Sequence, residues 1–174
     1  VPGLSDAGFH TSDTVMRIDA VPHRLAILGG GFIAAELAHV FGAFGSRVDV
    51  VTTGAAMLSH HDPLISETVT AAMAERFRLH LRSRLVGVTT DRGTRLLAVE
   101  GPDGALRRID ADLILVAVGR RPNGDQLHLE RTGVRLDEHG FIATDATLET
   151  SVPGIYALGD ARTSLMLKHV ANHE

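Results

Sequence analysis

The chain contains no cysteine. A disulfide framework, a thiolate metal centre and a cysteine nucleophile are therefore excluded among its own residues. Tryptophan is also absent, and aromatic residues make up only 4 % of the sequence, which disfavours a base-stacking surface. Lysine occurs once, so the other sixteen of the 17 basic residues are arginine. Acids and bases are interspersed, the formal charge is −4, and no basic block is present. Neither a nucleic acid nor a membrane surface is expected as a partner. The apolar runs have about the length of a strand and fall far short of the roughly 20 residues that span a bilayer. No signal-peptide pattern opens the sequence, so the expected location is the cytoplasm. Both ends read as cut, with a turn at Val1-Pro2-Gly3 and the start of a helix in Ser164 to Glu174.

What is present is an apolar fraction of 44 %, enough for a core in a chain of 174 residues. Arg24–Leu28 reads as a short buried strand, turned by Gly29-Gly30-Gly31. Ile33, Leu37, Val40, Phe41 and Phe44 then recur at helical spacing, predicting a helix over 32–44 with Gly45 at its left-handed end. Val48–Val51 completes a βαβ unit. Asp62 and Pro63 are the cap and first residue of a helix expected to run to Arg76, and Leu79–Leu81 is a third parallel strand. Segments 85–90, 94–99 and 106–110 alternate around Asp91-Arg92-Gly93 and Pro102-Asp103-Gly104, the signature of an antiparallel meander. "DLILVAVG", residues 112–119, is almost wholly apolar and suits a strand covered on both faces. The expected fold class is α/β: a three-layer, Rossmann-like unit with a parallel sheet plus the meander. Turns and short strands follow it, with a boundary placed between 123 and 138.

The glycines point to chemistry. Gly29-x-Gly31-x-x-Ala34 fits G-x-G-x-x-[G/A] between a strand and a helix. Gly29 allows a tight turn, and Gly31 leaves the main chain open to a pyrophosphate. Ala34 permits close packing, and the first helical N–H groups and the helix dipole face the phosphates. A dinucleotide is the expected ligand. The adenosine ribose is read at the tip of the second strand, by an acid for NAD or an Arg for NADP. Asp49 lies inside that strand and reads as structural, leaving Thr52 and Thr53 at a neutral tip. His60 and His61 stand near but read as a helix entry. The choice between NADH and NADPH stays open, and no metal site is expected from the histidines.

Three stretches now match a family in the right order. "GGGFIAAELAHVFGAFGSRVDVV", "ILVAVGRRPN" and "TSVPGIYALGDA" resemble the central part of the pyridine nucleotide-disulfide oxidoreductases. These are two-cofactor flavoproteins, among them glutathione reductase and dihydrolipoamide dehydrogenase. The opening "VPGL" and the closing "LMLKHVANHE" resemble one branch of that family, whose substrate is a small disulfide.

The resemblance implies the site. Gly29, Gly30, Gly31, Phe32, Ile33, Ala34, Ala35 and Glu36 would wrap the coenzyme, with Phe32 and Ile33 beside the nicotinamide and Glu36 near nicotinamide and flavin. Thr52 stands where NAD-using members place an acid; Thr53 and Ser59 stand where NADP-using members place arginines. Leu85 would touch adenine, and Gly119 would contact the coenzyme through its backbone. Gly159 and Asp160 resemble the second FAD signature, with Asp160 at the ribityl chain. Met166, Leu167, Lys168 and His169 match the helix start beneath the flavin. The resemblance divides the chain into a tail of an FAD domain (1–21), an NAD(P)H-binding domain (22–123) and a returning FAD segment (124–174). The intact protein is expected to be a homodimer through a domain outside these residues. A non-catalytic NAD(H)-binding module is the alternative of another class. A simple Rossmann dehydrogenase would need a catalytic His or Lys–Tyr pair, and no such constellation is found.

Overall fold

The computed structural model describes residues 1–174. The chain forms two compact units, Val1–Gly119 and Arg120–Glu174. No helix is long and apolar enough to cross a membrane.

The first unit is built on the parallel strands β1 (Arg24–Leu28), β2 (Arg47–Val51), β3 (Arg78–His80) and β7 (Leu113–Val116), in the spatial order β3-β2-β1-β7. An antiparallel sheet of β4 (Arg84–Asp91), β5 (Thr94–Glu100) and β6 (Leu106–Ala111) covers one face. Helices α3 (Phe32–Ala43) and α4 (Pro63–Ala74) cover the other. Alternation along the strands divides the core accordingly. Leu25, Ile27, Val48, Val50, Leu113 and Leu115 pack towards the helices. Ala26, Leu28, Val51 and Ile114 meet Leu97, Val99 and Ile109 of the meander. Coverage on both sides explains why these strands are nearly continuous apolar runs.

Local chemistry ends the elements where it should. Gly45 has φ 93°, and two hydrogen bonds close α3: Gly45 N–H donates to Gly42 O and Ser46 N–H to Phe41 O. That is the Schellman arrangement, which needs a left-handed residue at this place. Asp62 caps α4 by accepting from Leu64 N–H at 2.9 Å, with Pro63 as the first helical residue. The buried face of α3 differs in part from the expected one: Phe41 and Leu37 pack into the core as expected, but alanines do much of the rest. Ala34, Ala38 and Phe41 are buried, whereas Phe44 is 67 % exposed. Close approach of helix to sheet selects small residues, so the alanines point inward where size-based periodicity favoured the larger side chains.

Residues 1–21, expected as a tail leading out of another domain, pack onto the first unit. Short helices α1 (Leu4–Ala7) and α2 (Ser12–Val15) lie against it, His10 bridges to Leu115, and Val15 is fully buried. The division into units falls at Gly119/Arg120, a few residues before the expected boundary at 123.

The chain passes from β6 to β7, and so from one sheet to the other, through the single residue Asp112. Arg24 pins it. Asp112 N–H donates to Arg24 O, and Arg24 N–H and Nε donate to the Asp112 carboxylate at 2.9 and 3.0 Å. Arg95 donates to the Asp112 carbonyl.

In the second unit Val134, Ile142 and Ala157 form a small core, packed against Leu129, Val152 and Ala161. Isolated bridges Leu136↔Ile142, Thr144↔Thr150 and Glu149↔Tyr156 replace extended strands. A last helix, α5, spans Lys168–His173.

Two measurements test this architecture. Gly29 has φ +118°, and an added Cβ would lie 2.2 Å from Ala117 O. Gly29→Ala is expected to cost about 3 kcal/mol or more, from backbone strain plus displacement of β7, and thermal unfolding reads the loss. Hydrogen bonding from Arg24 holds the Asp112 carboxyl below its ordinary value. Its contribution to stability is therefore present above the unfolded pKa, near 4, and disappears as pH falls through the lower folded value. Asp112→Asn should lower the melting temperature at neutral pH, and that difference should shrink on acidification below about pH 4.

Candidate functional site

The order β3-β2-β1-β7 means that the chain leaves β1 towards β2 on one side and returns to its other side as β7. The carboxyl ends of β1 and β7 therefore border the crevice where open α/β sheets bind ligands. Both expected glycine segments lie there: Gly29-Gly30-Gly31 follows β1, and Gly119 follows β7 with φ +145°.

The three glycines play different parts. Gly29 donates its N–H to Val51 O at 2.8 Å and lies directly against the Ala117 carbonyl, so its missing side chain serves packing. Gly30 lies against Thr52, whose hydroxyl would be 2.8 Å from an added Cβ. Its carbonyl accepts from Leu58 N–H at 2.7 Å, which folds the segment after β2 back onto the turn. Gly31 faces open space: an added Cβ would meet nothing within 4 Å. The main chain at the head of α3 is therefore accessible from outside. The N–H groups of Gly31, Phe32, Ile33 and Ala34 have no acceptor in the chain, because Ala35 is the first to bond back, to Gly31 O at 3.0 Å. Donors aimed outwards from a twelve-residue helix suit a diphosphate. Ala34 is fully buried beneath them.

The flanking residues are less uniform. Phe32, Ile33 and Ala35 are half-buried on the first turn of α3, while Glu36 is exposed and forms no ion pair. Of the two tip residues, Thr52 is only 9 % exposed, and its Oγ1 accepts from Gly54 N–H at 3.1 Å. The turn after β2 draws it inwards, leaving Thr53 as the exposed residue of the tip. Leu85 lies on β4 and packs partly into the meander core. Asp49, read as structural, is buried with its carboxylate 2.8 Å from His80 Nε2. His60 and His61 are exposed ahead of α4.

Sequence reasoning missed what surrounds Thr53. It lines an open surface cavity of about 310 Å³ together with Arg82, Ser83, Arg84, Glu100 and Gly101. The β3–β4 connection is held there by two hydrogen bonds, Arg82 N–H to Gly54 O and Ser83 N–H to Thr52 O, each 2.9 Å. Nothing local in the sequence ties residue 82 to residue 53; only the parallel register of β2 with β3 does so.

Within the second unit the structure gathers the remaining expected residues. Gly159, with φ +63°, would place a Cβ 2.9 Å from that of Ala171 on α5. Its N–H donates to Glu174 at 2.6 Å, and Arg162 donates to the same carboxylate. These bonds, the Gly159 one foremost, hold the Glu174 carboxyl below its ordinary range. Asp160 is ion-paired with Arg120 at 2.9 Å. Met166 has φ 42°, Leu167 is exposed, and α5 starts at Lys168 and His169, whose N–H groups have no acceptor in the chain.

Comparison with known proteins decides the family. The profile of the pyridine nucleotide-disulphide oxidoreductases matches residues 1–174. The chain belongs to that family. A mycothione reductase of Mycobacterium tuberculosis is 44 % identical over 170 residues, covering 98 % of this chain and 36 % of the relative. A dihydrolipoyl dehydrogenase of Vibrio cholerae is 34 % identical over 163 residues, covering 94 % of this chain and 34 % of that protein. Among solved structures, the HOCl-induced flavoprotein disulfide reductase RclA of Escherichia coli superposes with a TM-score of 0.86 at 25 % identity, covering 98 % of this chain and 39 % of that one. LpdA of M. tuberculosis does so at 0.81 and 30 % identity, covering 94 % and 35 %. The chain thus spans about a third of the length of the relatives it matches. The family is one of oxidoreductases, and membership implies a pyridine nucleotide and FAD as cofactors.

Proposed function

We propose that these residues are the NAD(P)H-binding portion, and one side of the FAD site, of a flavoprotein disulfide reductase whose substrate is mycothione. The observation that carries the reading is the unobstructed main chain at Gly31, with four outward-facing N–H donors behind it. The identity of 44 % to mycothione reductase, against 34 % to the dihydrolipoyl dehydrogenase of V. cholerae, favours mycothione over lipoamide.

The cofactors, when bound, supply hydride transfer from nicotinamide to flavin and delivery of the electrons to a Cys pair that reduces the disulfide. This chain positions and screens. The N–H groups of Gly31 to Ala34 hold the diphosphate, and Gly119 closes the crevice from the β7 side. Phe32 and Ile33 shield the nicotinamide from water, and Glu36 stands beside it. Thr53 and Leu85 flank the adenosine; Thr52 supports Gly30 from behind. In the second unit Asp160 would accept a hydroxyl hydrogen bond from the ribityl chain, giving up part of its pairing with Arg120. The free amides of Lys168 and His169, with Met166 and Leu167 before them, would face the flavin and would favour negative charge on it. With no cysteine here, the redox pair belongs to other parts of the intact enzyme, and these 174 residues alone do not reduce a disulfide. The intact enzyme is cytoplasmic and a homodimer through a domain beyond these residues.

Gly31→Val separates binding from folding. The new side chain enters open space, at a backbone φ of −82° that valine adopts freely. Gly31 is the N-cap of α3, where valine is less favourable than glycine by about 1 kcal/mol, so the variant should stay folded and melt only about 2–4 °C below the parent. Its affinity for NADPH and NADH, measured by calorimetry, should fall tenfold or more, roughly the loss of one charge-assisted hydrogen bond. Undiminished affinity would refute the cradle.

A further inference from the structure

The tip of β2 carries Thr52 and Thr53, and neither can neutralise a phosphate. The cavity beside Thr53 nevertheless holds two guanidinium-bearing residues, Arg82 and Arg84, both from the connection that follows β3. We infer that this chain is an NADPH binder whose 2′-phosphate is recognised by Arg82, with Arg84 as second cation, the charge being supplied from the β3–β4 connection instead of the segment after β2. The inference rests on the proposed dinucleotide site and deepens it by naming the coenzyme and the residue that selects it.

Three observations converge. The first is place. In a dinucleotide-binding βαβ unit the adenosine ribose sits at the carboxyl tip of the second strand. Thr53 is the exposed residue at that tip, and it shares the cavity with Arg82, Ser83 and Arg84. The connection is not loosely apposed: Arg82 N–H is bonded to Gly54 O and Ser83 N–H to Thr52 O.

The second is charge. Arg84 is engaged, its guanidinium 2.6 Å from the Glu100 carboxylate. Arg82 has no carboxylate partner anywhere in the chain. Two cations and one anion leave the cavity with a surplus positive charge, carried by the unpaired Arg82. A phosphate monoester brings a charge of about −1.5 to −2 at neutral pH, and a guanidinium offers it a planar fork of donors. The 2′-hydroxyl of NADH brings no charge to meet that surplus.

The third is backbone. Arg82 has φ +48°, in the left-handed region that glycine and asparagine occupy with least strain. A long cationic residue is held there although a glycine would fit the turn better. The side chain is therefore not what makes the turn, and Arg82→Gly can remove it without opposing the fold.

Glu100 is the competing reader. It lines the same cavity, and as an acid it could accept ribose hydroxyls and favour NADH. Its pairing with Arg84 commits its carboxylate and tilts the site towards the phosphate.

Calorimetric titration of the chain with NADPH, NADH and 2′,5′-ADP, at low and at physiological ionic strength, decides the matter. The parent should prefer NADPH by about tenfold or more at low salt, the scale of a charge-assisted contact. The preference should shrink as the Debye length falls from about 30 Å to about 8 Å. Arg82→Gly should bring the preference to within about threefold by weakening NADPH and 2′,5′-ADP while leaving NADH unchanged, with an equal or higher melting temperature. Glu100→Gln, which frees Arg84, should raise affinity for 2′,5′-ADP severalfold; it decides alone if the glycine variant melts early. Equal binding of both coenzymes, a preference for NADH, or an Arg82→Gly variant with intact preference would overturn this inference and leave the dinucleotide site standing. Absence of binding by either coenzyme would remove both.

Discussion

The structure depends on how closely the carboxyl end of β7 approaches the turn that ends β1. The Ala117 carbonyl occupies the space where a side chain at position 29 would begin. That contact sets the crevice at the switch point of the sheet. It also directs the chain through Gly30 and Gly31 into α3 with the helix head facing outwards. Around it the sheet is covered on both faces, and Arg24 with Asp112 fixes the place where the meander rejoins it. The glycine run is thus one device with two ends. Its first residue lacks a side chain because the protein fills the space. Its third lacks one although the protein leaves the space empty, so the main chain there is open to a ligand.

The region beyond β2 follows from the same geometry. Thr52 turns inwards against Gly30 and supports the turn, which leaves Thr53 as the exposed residue of the tip. In the proposed dinucleotide site, recognition of the adenosine end would fall to Thr53 and to whatever the parallel register brings beside it. What it brings is the β3–β4 connection with its arginines. A neutral strand tip is therefore compatible with an anionic coenzyme, because charge acts across space and its source need not be adjacent in sequence.

Much of this was legible in the chain of letters. The glycine spacing, the apolar run before it, Gly45 as a helix stop and Asp62-Pro63 as a helix start are local signals, and each lies where the structure uses it. The meander was visible through alternation and two turns of Asp and Gly. The inner face of α3 was legible only in part: Leu37 and Phe41 pack into the core as expected, but the alanines at 34 and 38 carry little hydrophobic weight yet permit the closest approach to the sheet. Residues 1–21 offered no signal for the helices they form, because α1 and α2 are single turns, too short for periodicity. The inward turn of Thr52 and the nearness of Arg82 to Thr53 are long-range outcomes of strand pairing, for which a residue-by-residue reading has no signal. In the second unit short bridges and turns leave no pattern, and there the family motifs alone indicated a site.

The central claim is that bare main-chain donors at the head of α3 grip a diphosphate. Amide chemical shifts of the nitrogen-15-labelled chain during titration with NADPH test it most directly. The account predicts that the largest changes fall on Gly31, Phe32, Ile33 and Ala34, with Gly119 next, and that they saturate together. Saturating changes confined to other surfaces, with these amides unmoved, would contradict it.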